Sequence, residues 1–310
     1  MSVPKVLTGS IAANKVLTWM RTWYQGEEMP EATDLDVVRQ ILPDTPYGQG
    51  VRQILKPMPL VDGAFEGVLA RDPDDPEVWG IAYSSESRPE RQRFTIAHEL
   101  GHFVLHRNLK PQFNCDQQSV HPGIDTQRNI EREANDFASN LLMPGDLLRK
   151  WISSQSVDLH VLSGVAKRFQ VSFEALCIRF IEFTSDRAIL ICWDNGFAKY
   201  VCRSQSARKS RVNIRLMSDP AEPPPDTLAA DASIAQEWDG IEMSAARWCP
   251  GEAQHMSLRE FKHSYSARER VLTLLLLESA EPRTWDRSWQ DEESFDSFDR
   301  FVSNGQLPVR

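Results

Sequence analysis

The sequence lacks the features that mark secreted and membrane-spanning proteins. Its five cysteines are scattered, odd in number and without a CxxC pair, which argues against a disulfide framework and favours a reducing compartment. No apolar run approaches 18 residues, since the longest candidate, Val271 to Leu277, is far too short to span a bilayer. The first segment is interrupted by Asn14, Lys15 and Arg21, so no signal peptide is expected. We therefore expect a cytoplasmic protein with no membrane partner.

An excess of positive charge is also absent. The net charge is −9 and the pI is near 5.4, which argues against bulk attraction to nucleic acid but leaves room for a local basic surface. The 310 residues are 41% apolar and 25% charged, as in an ordinary folded protein. Two or three small domains are expected from this length.

The most informative segment carries an HExxH pattern at residues 98–102. On a helix, His98 and His102 lie on one face with Cβ atoms about 6 Å apart, so both can bind one metal ion. Glu99 then lies beside the metal, where a carboxylate can act as general base in amide hydrolysis. The surrounding residues are almost all apolar, as a buried helix requires. Two hydrogen-bonded histidines in a buried helix are the alternative interpretation.

A catalytic zinc usually takes three protein ligands, so a third must come from outside this pattern. The position where a third histidine could follow is Asn108, and His106 lies too far along the helix, so we expect it to be structural. Glu131 on the next predicted helix is the better candidate. Asn135 follows four residues later on the same face and can orient a ligand histidine, whereas Glu133 points roughly 160° away.

These two segments together resemble the ImmA/IrrE family of metallo-endopeptidases. The resemblance rests on Arg-Phe-Thr-Ile-Ala-His-Glu-Leu-Gly-His and on Glu-x-x-Ala-Asn-x-Phe-Ala-x-x-Leu-Leu-Met-Pro, and it covers about residues 50 to 185. It implies zinc bound by His98, His102 and Glu131, with Glu99 as base and proton shuttle. It also implies an α+β fold with a gluzincin-like peptidase domain, built from a small β-sheet and the HExxH helix.

The resemblance extends to partners. The usual targets of the family are helix-turn-helix repressors, often encoded beside the peptidase, whose cleavage switches on stress, DNA-damage or phage-defence genes. Some members, including CapP-like peptidases of bacterial defence systems, carry a sensor-like C-terminal domain. A helix-turn-helix repressor is therefore the substrate that the resemblance implies.

Further side chains can complete the site. Cys115 lies in a predicted irregular loop over residues 107–129, and its thiolate can occupy the fourth position on zinc and hold the enzyme inactive. An inconsequential loop thiol is the alternative. His121 and Tyr83 are candidates to stabilise the developing oxyanion.

Hydrophobic periodicity predicts the remaining elements. Helices are expected over 11–24 and 34–42, and a small antiparallel sheet between 51 and 84. A helix-turn-helix pattern at 159–183 either supports the peptidase or reads DNA, although its second helix offers few donors. A hairpin is expected over 188–202, followed by a Pro-rich loop. Later strands are expected at 234–238, 242–248 and 271–278. An amphipathic tail is expected around Phe295, Phe298 and Phe301.

We therefore expect three parts: a zinc metallopeptidase domain with N-terminal helices (1–150), a helix-turn-helix-like linker (151–185) and a mixed α/β, GAF-like regulatory domain (186–310). A basic run in the last part can bind single-stranded DNA, or it is a solvated face; it comprises Lys199, Arg203, Arg208, Lys209, Arg211 and Arg215. A small-molecule activator of this domain is also possible.

The predicted function is cleavage of a helix-turn-helix repressor by a zinc-dependent endopeptidase. The competing hypothesis is a non-catalytic regulator that binds DNA through residues 159–183 and carries a structural metal. Glu99 discriminates between them, because a structural site has no need of a carboxylate beside its ligand.

Overall fold

A computed structural model describes residues 7–25, 29–61, 65–115, 125–152, 157–216, 220–252, 255–265 and 269–279. The fold is α+β and divides into two compact units. The first comprises Met1–Leu148 and Ala166–Ser172, and the second comprises Arg149–Val165 and Phe173–Arg310. Within the described ranges, no helix has both the length and the apolar character needed to cross a membrane.

Four helices dominate the first unit, and two of them carry the HExxH pattern and the Glu131 motif. They are α1 (Gly9–Trp23), α2 (Leu35–Ile41), α3 (Pro89–His106) and α4 (Asp125–Leu142), followed by α5 (Gly145–Ile152). The Asp34 carboxylate caps α2 by accepting hydrogen bonds from the amides of Asp36 and Val37. Helices α1 and α2 confirm the helices predicted over 11–24 and 34–42.

A five-stranded sheet accompanies these helices. Its strands are β1 (Gln53–Ile54), β2 (Met58–Leu60), β3 (Gly67–Arg71), β4 (Val78–Ser84) and β5 (Gln112–Cys115). The order is β1-β4-β3-β5, and β2 also pairs with β4. The predicted antiparallel sheet is wrong in one respect, because β1 and β2 run parallel to β4. The hydrophobic pattern of a segment indicates that it forms a strand. Whether that strand runs parallel or antiparallel to its neighbour depends on pairing with residues that are distant in sequence.

The irregular loop predicted over 107–129 is also wrong. Strand β5 lies within it and pairs with β3, with Cys115 opposite Gly67, so Cys115 belongs to a strand and not to a flexible loop. Helix α4 begins at Asp125, earlier than expected. A four-residue strand has little local signal and forms because its partner is available. Residues 116–124, including His121, lie outside the described residues.

The second unit contains an antiparallel sheet. Helices α6 (Leu159–Phe169) and α7 (Phe173–Phe183) lie where the sequence predicts them. The strands that follow are β6 (Arg187–Asp194), β7 (Phe197–Arg203), β8 (Gln236–Ser244), β9 (Ser257–Tyr265) and β10 (Arg270–Leu277), in the order β7-β6-β10-β9-β8, with the short helix α8 (Gln205–Lys209) after β7. The predicted hairpin is confirmed, and Asn195 and Gly196 form its turn with positive φ at both positions.

Two predictions in this unit need correction. The two strands expected over 234–238 and 242–248 are one strand, β8, which ends at Ser244 and continues as a 3-10 turn, and β9 was not predicted at all. Strand β9 buries Glu260 and Lys262, whose charges suggest an exposed segment. Their charges are satisfied inside: Glu260 accepts from the Trp248 indole N–H (3.0 Å), and Lys262 donates to two main-chain carbonyls. The tail around Phe295, Phe298 and Phe301 lies outside the described residues.

Candidate metal centre

Close packing of α3 against α4 assembles the site. A Cβ on Gly101 would lie only 3.1 Å from the Cα and the carbonyl oxygen of Ala134, so glycine permits this approach. Ala134 follows Glu131 by three residues on α4, so the contact brings that carboxylate to the histidine face of α3. His98, Glu99 and His102 are all buried. One glycine thus allows two segments that are distant in sequence to share one site.

Four donor atoms face one another at this helix pair. The Nε2 atom of His98 lies 3.0 Å from Nε2 of His102 and 3.2 Å from Oε2 of Glu131, and the His102-to-Glu131 distance is 3.4 Å. The Cys115 sulfur, contributed by β5, lies 3.3 Å from His98 Nε2 and 3.9 Å from Glu131 Oε2. All four lie within 4.8 Å of one another. A tetrahedral zinc site has N···N edges of about 3.3 Å and N···S edges of about 3.6 Å, so the spacing fits zinc.

Hydrogen bonds on the outer ring nitrogens support the same conclusion. His98 Nδ1 lies 2.9 Å from the Asn135 side-chain oxygen, and His102 Nδ1 lies 3.1 Å from His106 Nδ1. When both Nδ1 atoms donate outward, both Nε2 lone pairs point inward beside the Glu131 carboxylate. Such an arrangement is repulsive unless a cation lies between the donors. The donor set therefore fits a metal ion.

Electrostatics hold His102 and Glu131 in suitable protonation states, whereas at His98 burial is outweighed by contact with Glu131 and by the Glu99 and Glu131 charges, which raise the pKa. Burial lowers the pKa of His102 to about 4, which keeps the ring neutral. Burial opposes ionisation of Glu131, but its close contacts with the His102 and His98 rings outweigh burial and lower the pKa. Burial, together with the charges of Glu99 and Glu131, raises the pKa of the Cys115 thiol. The thiol therefore ionises only when a strong positive charge is present.

Glu99 differs from the other acidic groups of the site. Its side chain is fully buried, and in the described structure no group meets hydrogen-bond geometry at either carboxylate oxygen, although the Cys115 thiol is close enough to lower the pKa of Glu99 slightly. Burial raises its pKa to about 7, against the opposing charge of His98. A buried carboxylate without partners is costly unless its function requires it. It is suited to accept a proton from a water held between it and the ligand cluster.

Two neighbours, Gly67 and Phe113, escaped sequence reasoning, whereas Tyr83 is a predicted candidate oxyanion stabiliser. Gly67 on β3 faces Glu99, and a Cβ there would overlap Glu99 Oε1. Phe113 on β5 stacks on the His102 ring with centroids 4.7 Å apart, which restricts ring rotation. Tyr83 pairs directly with Gly67 across β3 and β4, so its half-buried side chain lies on the face of the sheet that Glu99 contacts. No local pattern marks Gly67 or Phe113, since the position of each depends on strand pairing.

The predicted basic run lies in the second unit. Lys199 is 3.5 Å from Asp194 and Arg203 is half-buried. The other four are exposed, on α8 and in the segment after it: Arg208, Lys209, Arg211 and Arg215. Exposure does not exclude contacts within the fold, because Arg208 Nε donates to the Arg203 carbonyl oxygen at 2.9 Å.

Comparison with known proteins points the same way as this geometry. Residues 49–180 match the family described as the IrrE N-terminal-like domain of Peptidase M78. The chain is 26% identical over 240 residues to the radiation response metalloprotease IrrE of Deinococcus deserti, covering 74% of this chain and 78% of the relative. It is 34% identical over 132 residues to the protein of the same name from Deinococcus radiodurans, covering 42% of this chain and 37% of the relative.

One solved structure, described as a Mycobacterium tuberculosis transcriptional regulator, aligns with a TM-score of 0.47 and 15% identity. The alignment covers 87% of this chain and 82% of that chain.

Proposed function

We propose that this chain is a zinc-dependent endopeptidase of the ImmA/IrrE family that cleaves a helix-turn-helix repressor in the cytoplasm; the match of residues 49–180 to the peptidase domain and the similarity to two metalloproteases support the proposal. The observation that carries the proposal is the fully buried Glu99 carboxylate beside the four-donor cluster. His98, His102 and Glu131 are the proposed zinc ligands. Five unpaired cysteines agree with the proposed compartment.

The proposed chemistry is hydrolysis of one peptide bond. Zinc, when bound, supplies a Lewis acid that polarises water and the scissile carbonyl. Glu99 accepts a proton as water attacks the carbonyl carbon, and it returns that proton to the leaving amine. Asn135 holds the His98 ring in its donor orientation, and Tyr83 is the proposed oxyanion stabiliser on the sheet side. His121 remains a candidate for the same role.

We further propose that Cys115 restrains the enzyme at the fourth position. Its sulfur is buried within the donor cluster, at distances that suit a tetrahedral ligand. A thiolate there competes with water and substrate, so the resting enzyme is inactive until the sulfur is displaced. The predicted GAF-like C-terminal domain is the proposed receiver of the signal, with single-stranded DNA or a small molecule as activator.

The competing DNA-binding hypothesis gains little support from α7. Arg179, the basic residue on its second turn, is buried and donates to Glu182 at 2.7 Å. A buried, paired guanidinium cannot reach a base edge or a phosphate. Helix α7 thus supports a packing role.

The test is co-expression of this chain with each helix-turn-helix protein encoded near its gene. Wild type, Glu99→Gln and Cys115→Ala are compared, and the repressor is followed by immunoblot and its fragments by mass spectrometry. We expect cleavage that depends on Glu99 and that increases in Cys115→Ala. Cleavage by Glu99→Gln, or an intact repressor with Cys115→Ala, would overturn the proposal.

The activator is tested separately with single-stranded DNA. We expect it to raise the cleavage rate and to bind with an affinity that falls as salt increases, because the three exposed arginines and Lys209 would contact phosphates. An unchanged rate and no salt-dependent binding would exclude this activator.

A further inference from the structure

His106 and Glu133 continue the hydrogen-bond chain that begins at His102. The His106 ring is buried, its Nδ1 lies 3.1 Å from His102 Nδ1, and its Nε2 lies 2.9 Å from Glu133 Oε2. The chain therefore runs from the candidate metal ligand through a second ring to a carboxylate on α4. Neither His106 nor Glu133 belongs to the four-donor cluster itself.

Only one placement of protons satisfies every contact when His102 binds a metal through Nε2. The other nitrogen of His102, Nδ1, must then carry hydrogen and donate to His106 Nδ1. His106 Nδ1 is consequently an acceptor, so the hydrogen of this neutral ring lies on Nε2. That Nε2–H points at the Glu133 carboxylate, which can only accept. The three side chains thus determine one another's hydrogen positions.

We propose that His106 and Glu133 are positioning residues that hold His102 in the tautomer and orientation required for metal binding. The inference rests on the proposed metal centre but not on peptide cleavage. Phe113, stacked on His102, restricts the ring from its face, while His106 restricts it from its edge. The Nδ1 atom of His98 has its hydrogen-bond partner in the Asn135 side chain. Removing a side chain that positions a metal ligand in this way typically lowers metal affinity about 10- to 100-fold.

The test measures Zn²⁺ affinity of the purified full chain by competition with a chromophoric chelator. We expect His106→Leu and Glu133→Ala to weaken binding about 10- to 100-fold. The Zn²⁺ affinities of His106→Asn and Glu133→Gln should stay within about threefold of wild type. Each variant keeps an acceptor oxygen in the hydrogen-bond chain from His102 through His106 to Glu133, which we call the relay. Glu77→Ala, which removes an exposed carboxylate from the same unit, is the control and should leave the affinity unchanged.

A double variant separates a relay from simple packing between α3 and α4. In the His106→Asn background the chain to Glu133 is cut, so adding Glu133→Ala should cause no further loss of affinity. Nitrogen-15 NMR of the zinc-loaded wild type should show the Nδ1–H tautomer for His102 and the Nε2–H tautomer for His106.

The outcomes are distinguishable. Wild-type affinity in both His106→Leu and Glu133→Ala, equal losses in His106→Leu and His106→Asn, or additive losses in the double variant would overturn the relay alone. The opposite tautomer at His106 would do the same. A wild-type chain that binds no zinc would overturn the metal centre together with the relay. Repressor cleavage is not needed for any of these measurements.

Discussion

Gly67 provides the sharpest perturbation of the proposed general base. Its φ lies outside the left-handed region, so the backbone of β3 does not itself require glycine. The requirement is space: an added Cβ would overlap Glu99 Oε1 and lie 2.5 Å from Thr95 Cγ2. Carbon atoms in contact normally stay about 3.5 Å or more apart, so Gly67→Ala must displace the Glu99 carboxylate.

The two consequences of Gly67→Ala differ in size. Crowding in a packed interior costs about 1–3 kcal/mol, and replacing glycine in a strand recovers about 0.5–1 kcal/mol, so the fold should survive. A displaced general base should cost about 10²- to 10⁴-fold in cleavage rate. Zinc affinity should remain within about threefold, because the nearest atoms to the new methyl belong to Glu99 and Thr95 and not to a ligand.

Gly80→Ala is the matched control. It lies on the neighbouring strand β4, and the nearest atom to an added Cβ is 4.0 Å away. Initial rates of repressor cleavage and zinc content are measured on both variants in the Cys115→Ala background, where the proposed restraint is absent. Equal rates for Gly67→Ala and Gly80→Ala would refute the reasoning that Glu99 must occupy this position.

Three further predictions follow from named contacts. Cys115→Ala should remove a sulfur contribution at about 2.3 Å from the zinc K-edge spectrum of the resting enzyme, and a wild-type spectrum without sulfur would refute the restraint. Zinc at about 1,000 times its Kd should stabilise the wild-type chain by about 4 kcal/mol in thermal unfolding. Glu131→Gln should lose most of that gain, and an undiminished gain would exclude Glu131 as a ligand. Glu260→Ala should destabilise the second unit by about 2–4 kcal/mol in urea because it leaves the buried Trp248 N–H unpaired, whereas exposed Glu242→Ala should have little effect.

Sequence reasoning succeeded where the information is local. Spacing of four residues places His98 and His102 on one helical face, and the boundaries of α6 and α7 follow from hydrophobic periodicity and a turn. The pairing of Glu131 with these histidines needed a second motif 29 residues further on, and the distances in the structure agree with that choice.

The features that sequence reasoning missed depend on strand pairing. Strand β5 has too few residues to be recognised alone, and its pairing with β3 brings Phe113 and Cys115 to the site. Gly67 is important only because β3 passes beside Glu99. Glu133 was expected to point away from the metal, and it does so, but toward His106. Such relations have long sequence separation and no periodic signal.

The central claim is that Glu99 acts as a base beside a bound metal and is not itself a ligand. Zinc content and initial cleavage rate should be measured on the same purified samples of Cys115→Ala, with and without Glu99→Gln. We predict one zinc per chain in both samples and a rate reduced by at least about 100-fold in the Glu99→Gln sample. Equal rates in the two samples, or loss of zinc along with the rate, would contradict the claim.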